Sequence, residues 1–159
     1  MAESKSDAAM ELLLWRHADA EDGIPDSGRA LTKKGLKQAN QVAQWLKPRL
    51  PDDCLILASP AMRAQQTAAA LGLPCTTDGR VGLQACAADV IAATNWPHHR
   101  GMVIVVGHQP TLGQVAAWLL SGNQADWTVK KGALWWFSGS ARYGDTQTIL
   151  RAVVSPDLL

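Results

Sequence analysis

An α/β sandwich with antiparallel strands at one side of its sheet is the fold class this sequence predicts. Three observations point to it. The apolar runs "LLLW" (12–15), "CLILA" (54–58) and "MVIVV" (102–106) are continuous rather than alternating, as strands buried on both faces are. Stretches with helical spacing separate them. The C-terminal "WTVKKGALWWFSGSARYGDTQTILRAVV" alternates short β-like runs with Gly-containing turns.

Taken in order, the first strand runs into Arg16-His17 and a polar loop, "ADAEDGIPDSGRA", punctuated by Gly, Pro, Asp and Ser. Thr32 suits the N-cap of a helix whose apolar positions are Leu36, Ala39, Val42, Ala43 and Leu46. "PRLPDD" ends that helix before the second strand. Beyond it, Ser59 suits an N-cap, Pro60 the first helical position and Gly72 the stop, which puts Arg63 in a first helical turn. "LPCTTDGRVGLQAC" holds a short strand, followed by a helix over about 87–95. The third main strand leads through "GHQPT" into the helix "LGQVAAWLL". Residues 10–159 read as a single domain and residues 1–9 as a short disordered tail.

At 159 residues and 47% hydrophobic, the chain is long enough for a proper core. A net charge of +1 gives no long-range pull toward nucleic acid or anionic membrane. No apolar run approaches the ~20 residues of a membrane span. "MAESKSDAAM" lacks the basic-then-apolar layout of a secretory signal. Cys54, Cys75 and Cys86 are odd in number and show no C-x-x-C spacing, which argues against disulfides and zinc and fits a reducing cytoplasm.

Three strand-to-loop junctions carry the conspicuous polar residues: Arg16-His17, Ser59 to Arg63, and Gly107-His108. If the strands are parallel neighbours, these junctions open on one edge of the sheet, where α/β folds bind ligands. Two Arg, two His and a helix N-terminus would then share a pocket suited to a phosphoryl group. Arg supplies planar forks, a protonated His adds a donor, and a neutral His can attack phosphorus. Each residue has a plainer reading. Arg16 and His17 could pair with Asp19, Glu21 and Asp22, Arg63 could be a solvated helix residue, and His108 a satisfied core histidine. The three junctions together favour the site.

"RHADAE", "DSGRALTKKGLKQANQVAQWL", "ILASPAMRAQQTA" and "VIVVGHQPTLG" resemble, in the same order, the histidine phosphatase superfamily. They are most similar to its small branch, the SixA-type phosphohistidine phosphatases. The resemblance implies a three-layer α/β/α sandwich with a central, mostly parallel sheet and an antiparallel C-terminal edge. It makes His17 the nucleophile that becomes phosphorylated. Arg16, Arg63 and His108 would bind the phosphoryl oxygens. No metal or cofactor is implied. The other ring nitrogen of His17 needs an acceptor, expected to be a backbone carbonyl, to fix its tautomer.

Two departures stand out. Ala18 replaces the Gly of the commonest Arg-His-Gly signature, as the SixA-type branch often does. The Glu that many relatives use as proton donor is missing, with Gln84 standing in its region. Asp89, Asp19, Glu21 and Asp22 remain as candidate donors. The imidazole of phosphohistidine leaves readily once protonated, whereas an alkoxide benefits from a placed acid. The short stretch from Arg63 to His108 leaves no room for the capping segment of larger relatives. The missing acid favours a phosphohistidine-bearing protein of the histidine phosphotransfer type as substrate, handled by a cytoplasmic monomer, while the open pocket would admit a protein side chain and a small phosphate ester equally. Phosphate and other oxyanions would enter the same pocket. A phosphatase of small phosphate monoesters and a catalytically silent phosphate-binding module stay open as alternatives.

Other groups read as structural. His98-His99 lie in a polar turn, and Lys33-Lys34 and Lys130-Lys131 read as solvated faces. Trp45 and Trp118 read as core, while Trp135 and Trp136, adjacent on a strand, should point to opposite covered faces. Asp26 and Arg29 fit either a loop-bracing ion pair or a substrate contact.

Overall fold

The structure is a computed structural model and describes residues 9–142 and 144–159. The tail expected over residues 1–9 lies, apart from Ala9, outside the described residues. In chain order the elements are β1 (Met10–Arg16), α1 (Lys33–Leu46), β2 (Cys54–Ala58), α2 (Met62–Ala69), β3 (Thr76–Thr77), α3 (Ala87–Thr94), β4 (Gly101–Gly107), α4 (Thr111–Ser121), β5 (Leu134–Arg142) and β6 (Asp145–Val154). The strands form one sheet of order β3-β2-β4-β1-β5-β6. β1, β2, β3 and β4 run parallel, and β5 and β6 add the expected antiparallel edge.

Alternation along β1 shows why its sequence is apolar throughout. Leu12 and Leu14 point to one face, where Val90 of α3 and Leu112, Val115 and Ala116 of α4 cover them. Leu13 and Trp15 point to the other, under Val42 and Leu46 of α1 and Ala64 and Ala68 of α2. Burial on both sides demands apolar residues at every position. Trp135 and Trp136 divide between the two faces in the same way. Trp45 and Trp118, expected inside, are only half-buried and pack on the margins of the two clusters.

The helix α1 differs from expectation at one residue. Thr32 is its N-cap, accepting the Gly35 N–H at 2.9 Å. The buried stripe is Gly35, Ala39, Val42, Ala43 and Leu46, and Leu36 is 45% exposed. Gly35 presses against the Asp19 backbone so closely that no Cβ fits between them. That approach sets which side of the helix faces inward and rotates Leu36 outward.

Register places the site. Arg16 stands opposite Gly107, and Ala58 opposite Val106, so the residues that follow β1, β2 and β4 emerge side by side at the carboxyl edge of the sheet. Replacing Gly35 with Ala should drive its methyl into the Asp19 carbonyl oxygen. The expected cost is about 1–3 kcal/mol in urea unfolding, as for other overpacked sites. Wild-type stability in this variant would contradict the close approach.

Candidate active site

His17 leaves β1 with its backbone N–H on the Gly107 carbonyl at 3.0 Å. Its Nδ1 lies 2.8 Å from the Ala18 carbonyl oxygen. A carbonyl only accepts, so Nδ1 carries the ring hydrogen and Nε2 keeps its lone pair. This is the backbone tether the sequence called for. His108 follows β4, its ring centroid 5.2 Å from that of His17. His108 Nε2 is 2.7 Å from the Ser59 hydroxyl, which also accepts the Ala61 N–H at 3.2 Å. Ser59 is therefore not the cap of α2, which starts at Met62 with Ala61 as N-cap. Its hydroxyl is engaged with His108 instead. Arg63 does lie in the first turn of α2, only 4% exposed.

Arg63 reaches across to a single-turn helix at Asp26–Gly28. Its Nη1 donates to the Asp26 carbonyl at 2.7 Å and its Nη2 to Asp26 Oδ2 at 3.1 Å. Arg29 Nε donates to Asp26 Oδ1 at 2.9 Å. Asp26 and Arg29 are thus an ion pair that braces the loop and Arg63 together. Arg16 donates from Nη1 to the Val129 carbonyl at 2.9 Å. Arg16 Nε, Arg63 Nε and His108 Nδ1 are buried and have no hydrogen-bond partner.

The loop over 129–133 escaped sequence reading. Gly132 N–H donates to the His17 carbonyl at 3.1 Å, Arg16 N–H to the Ala133 carbonyl at 3.0 Å, and Trp15 Nε1 to the Gly132 carbonyl at 3.0 Å. Gly132 has φ +74°, a conformation glycine adopts without penalty, and it approaches Ala18. That glycine after two lysines was the only sequence signal. On the other side, Thr67 of α2 accepts the Ala18 N–H at 3.1 Å and donates to the Arg63 carbonyl at 2.8 Å. The two histidines and Arg16, Arg29 and Arg63 line a cleft of about 600 Å³, with Leu83 and Gln114 among its walls. Lys131 lines it too, so it is not a merely solvated residue.

A family model described as the histidine phosphatase superfamily (branch 1) matches residues 12–84, a span that holds Arg16, His17 and Arg63. Phosphohistidine phosphatase SixA of Escherichia coli (strain K12) is 33% identical over 127 residues, 72% of this chain and 76% of that protein. The chain belongs to the histidine phosphatase superfamily. Solved structures agree with its SixA-type branch. SixA from Nakamurella multipartitia aligns with TM-score 0.78 and 26% identity, over 94% of this chain and 97% of its own. Protein histidine phosphatase SixA complexed with tungstate aligns with TM-score 0.73 and 27% identity, over 94% and 99%.

In this superfamily member burial and neighbouring cations favour the neutral form of both histidines. Burial pushes His17 down to about 4, helped by Arg63, Arg16 and Arg29 and opposed by the Ala18 carbonyl. Burial, then His17 and Arg63, push His108 down to about 3, against the pull of Asp26. The protonated His that the sequence suggested as a donor is therefore disfavoured at both His17 and His108. A phosphoryl dianion would reverse the sign of the local field and raise both imidazoles.

The candidate proton donors sit elsewhere. Asp19 accepts the Thr32 hydroxyl at 2.7 Å and Lys131 Nζ at 3.2 Å, and these contacts hold its carboxyl below the usual range. Asp89 accepts the Cys86 N–H at 2.9 Å at the start of α3, which holds it low as well. Asp19, Glu21, Asp22, Gln84 and Asp89 do not line the cleft. Among the described residues the one carboxylate in its lining is Asp26, held low by its hydrogen bonds to Arg63 and Arg29. Among the described residues no three His, Cys, Asp or Glu side chains gather to hold a metal ion, and no helix is long and apolar enough to cross a membrane.

These shifts have a consequence for stability. An ordinary histidine titrates at 6.5, so between pH 6.5 and about 4 the unfolded chain binds protons that folded His17 and His108 refuse. Stability in phosphate-free buffer should therefore fall as pH falls through that window, with His17 contributing up to roughly 3 kcal/mol. In His17→Gln the slope of stability against pH should be shallower there. An unchanged slope would contradict a histidine buried neutral.

Proposed function

We propose that this chain is a phosphatase acting through a covalent phosphohistidine on His17, with phosphohistidine in a partner protein as its substrate. The observation that carries the reading is the state of His17: neutral, its hydrogen tied to Ala18, its Nε2 lone pair free in a cleft rich in arginine. His17 Nε2 attacks phosphorus, and the P–N bond to the donor imidazole breaks. The electron pair departs with that imidazole, whose ring takes up a proton from solvent water. Water then attacks phospho-His17, releasing inorganic phosphate and restoring the imidazole.

Arg16, Arg63 and His108 hold the phosphoryl oxygens. Their orphaned Nε and Nδ1 atoms support this, because a buried donor without an acceptor is costly and an oxyanion supplies one. Ser59, already accepting from Ala61, can donate its hydrogen to His108 Nε2, which leaves His108 Nδ1 as a donor. Phosphoryl transfer asks a protein chiefly for such positioning and charge stabilisation. The tungstate in the related SixA structure is a tetrahedral oxyanion of the same kind.

The choice of phosphohistidine rests on the acids. Asp19, Asp26 and Asp89 are each held as carboxylates, a poor state for protonating an alkoxide. A leaving imidazole depends less on such a donor. The three free thiols suit a reducing, cytoplasmic setting.

Wild type, His17→Ala and Arg63→Ala should be compared on a radiolabelled phosphohistidine protein, with an alkyl phosphate monoester in parallel. Wild type should release label fast and turn over the monoester slowly. His17→Ala should release none, and Arg63→Ala should lose about 10²–10³ in kcat, as when a preorganised donor is removed. Faster turnover of the monoester would move the substrate to small phosphate esters. Binding of tungstate without His17-dependent turnover of either substrate would make the cleft a binding site.

A further inference from the structure

We propose that Lys131 is a specificity-determining residue, which takes a second negative charge that the substrate carries beside its phosphoryl group. The inference deepens the phosphatase reading of the cleft and rests on it. The substrate class it names is a phosphohistidine flanked by a carboxylate, as on an acidic stretch of a partner protein.

The two adjacent lysines of this loop diverge. Lys130 Nζ turns away to Asp157 at 3.8 Å, with its side chain 69% exposed. Lys131 is among the residues that line the cleft, and its Nζ lies 3.2 Å from Asp19 Oδ1. The loop that delivers it is tied to the strand bearing the nucleophile by the Gly132–His17, Arg16–Ala133 and Trp15–Gly132 hydrogen bonds. The position of the Lys131 backbone is thus set by the same contacts that set His17.

The remaining cations of the cleft are already committed. Arg63 and Arg29 both hold Asp26, and Arg16 is anchored on the Val129 carbonyl. Lys131 has the weakest claim on it. Its side chain is 53% exposed, and an ion pair in such a setting contributes little. Asp19 would not be stranded if Lys131 left, because the Thr32 hydroxyl also serves it at 2.7 Å. Asp19 thus holds the ammonium of this cleft-lining side chain until a substrate carboxylate competes for it. A long, flexible ammonium suits such a point contact, whereas the planar arginines suit the phosphoryl oxygens.

The test uses two phosphohistidine peptides that differ only in a Glu or a Gln beside the phosphohistidine, measured with wild type, Lys131→Met and Lys131→Arg. For wild type, kcat/KM should favour the Glu peptide about two- to fivefold, chiefly through KM, as expected for an ion pair at a half-exposed ammonium. That preference should collapse toward one in Lys131→Met and return in Lys131→Arg. A preference that is absent in wild type, or unchanged in Lys131→Met, overturns the assignment while His17-dependent turnover leaves the phosphatase reading standing. No turnover of either peptide by wild type overturns both.

Discussion

The hydrogen bond from His17 Nδ1 to the Ala18 carbonyl is the constraint on which the rest of the site depends. It decides which nitrogen keeps its lone pair, and it does so with a partner one residue away. Such a short link works only if the Ala18 peptide cannot turn. Ala18 is fully buried among Leu31 and Ala39, and Thr67 holds its N–H. Gly107 and Gly132 hold the backbone of His17 on either side. Ala18 in place of the family's more usual glycine therefore adds a packed methyl at the point where rigidity is needed.

Electrostatics then sets the charge balance of the cleft. Cationic Arg16, Arg29 and Arg63 surround two imidazoles that burial keeps neutral, with Asp26 as the one carboxylate of the cleft among the described residues. Among the described residues, buried Arg16 Nε, Arg63 Nε and His108 Nδ1 have no hydrogen-bond partner. A tetrahedral dianion answers both deficits together, supplying acceptors and opposite charge. Preorganised donors that need no rearrangement when charge arrives are what in-line phosphoryl transfer rewards.

Much of this was legible in the sequence because parallel strands have a simple consequence. Residues that end such strands meet at one edge, so Arg16, His17, Ser59 and His108 could be brought together from apolar runs alone. Arg63 followed from a helix start. Asp26 was harder, since its bond to Arg63 joins segments 37 positions apart and leaves no periodic trace. The loop that carries Lys131 was hidden for the same reason, its ties being backbone hydrogen bonds that any residue type can make. Leu36 went wrong because helical spacing marks two flanks of a stripe equally, and only the approach of Gly35 to Asp19 chooses between them. Ser59 was misread because a hydroxyl before a helix serves as well for a neighbouring ring as for a cap.

The most direct measurement is the tautomer of His17, read by nitrogen-15 NMR on histidine-labelled protein at neutral pH in phosphate-free buffer. The expected signal is a neutral ring with its hydrogen on Nδ1 and a bare Nε2. An imidazolium, or a neutral ring with its hydrogen on Nε2, would contradict the tether to Ala18 and the nucleophile proposed on it.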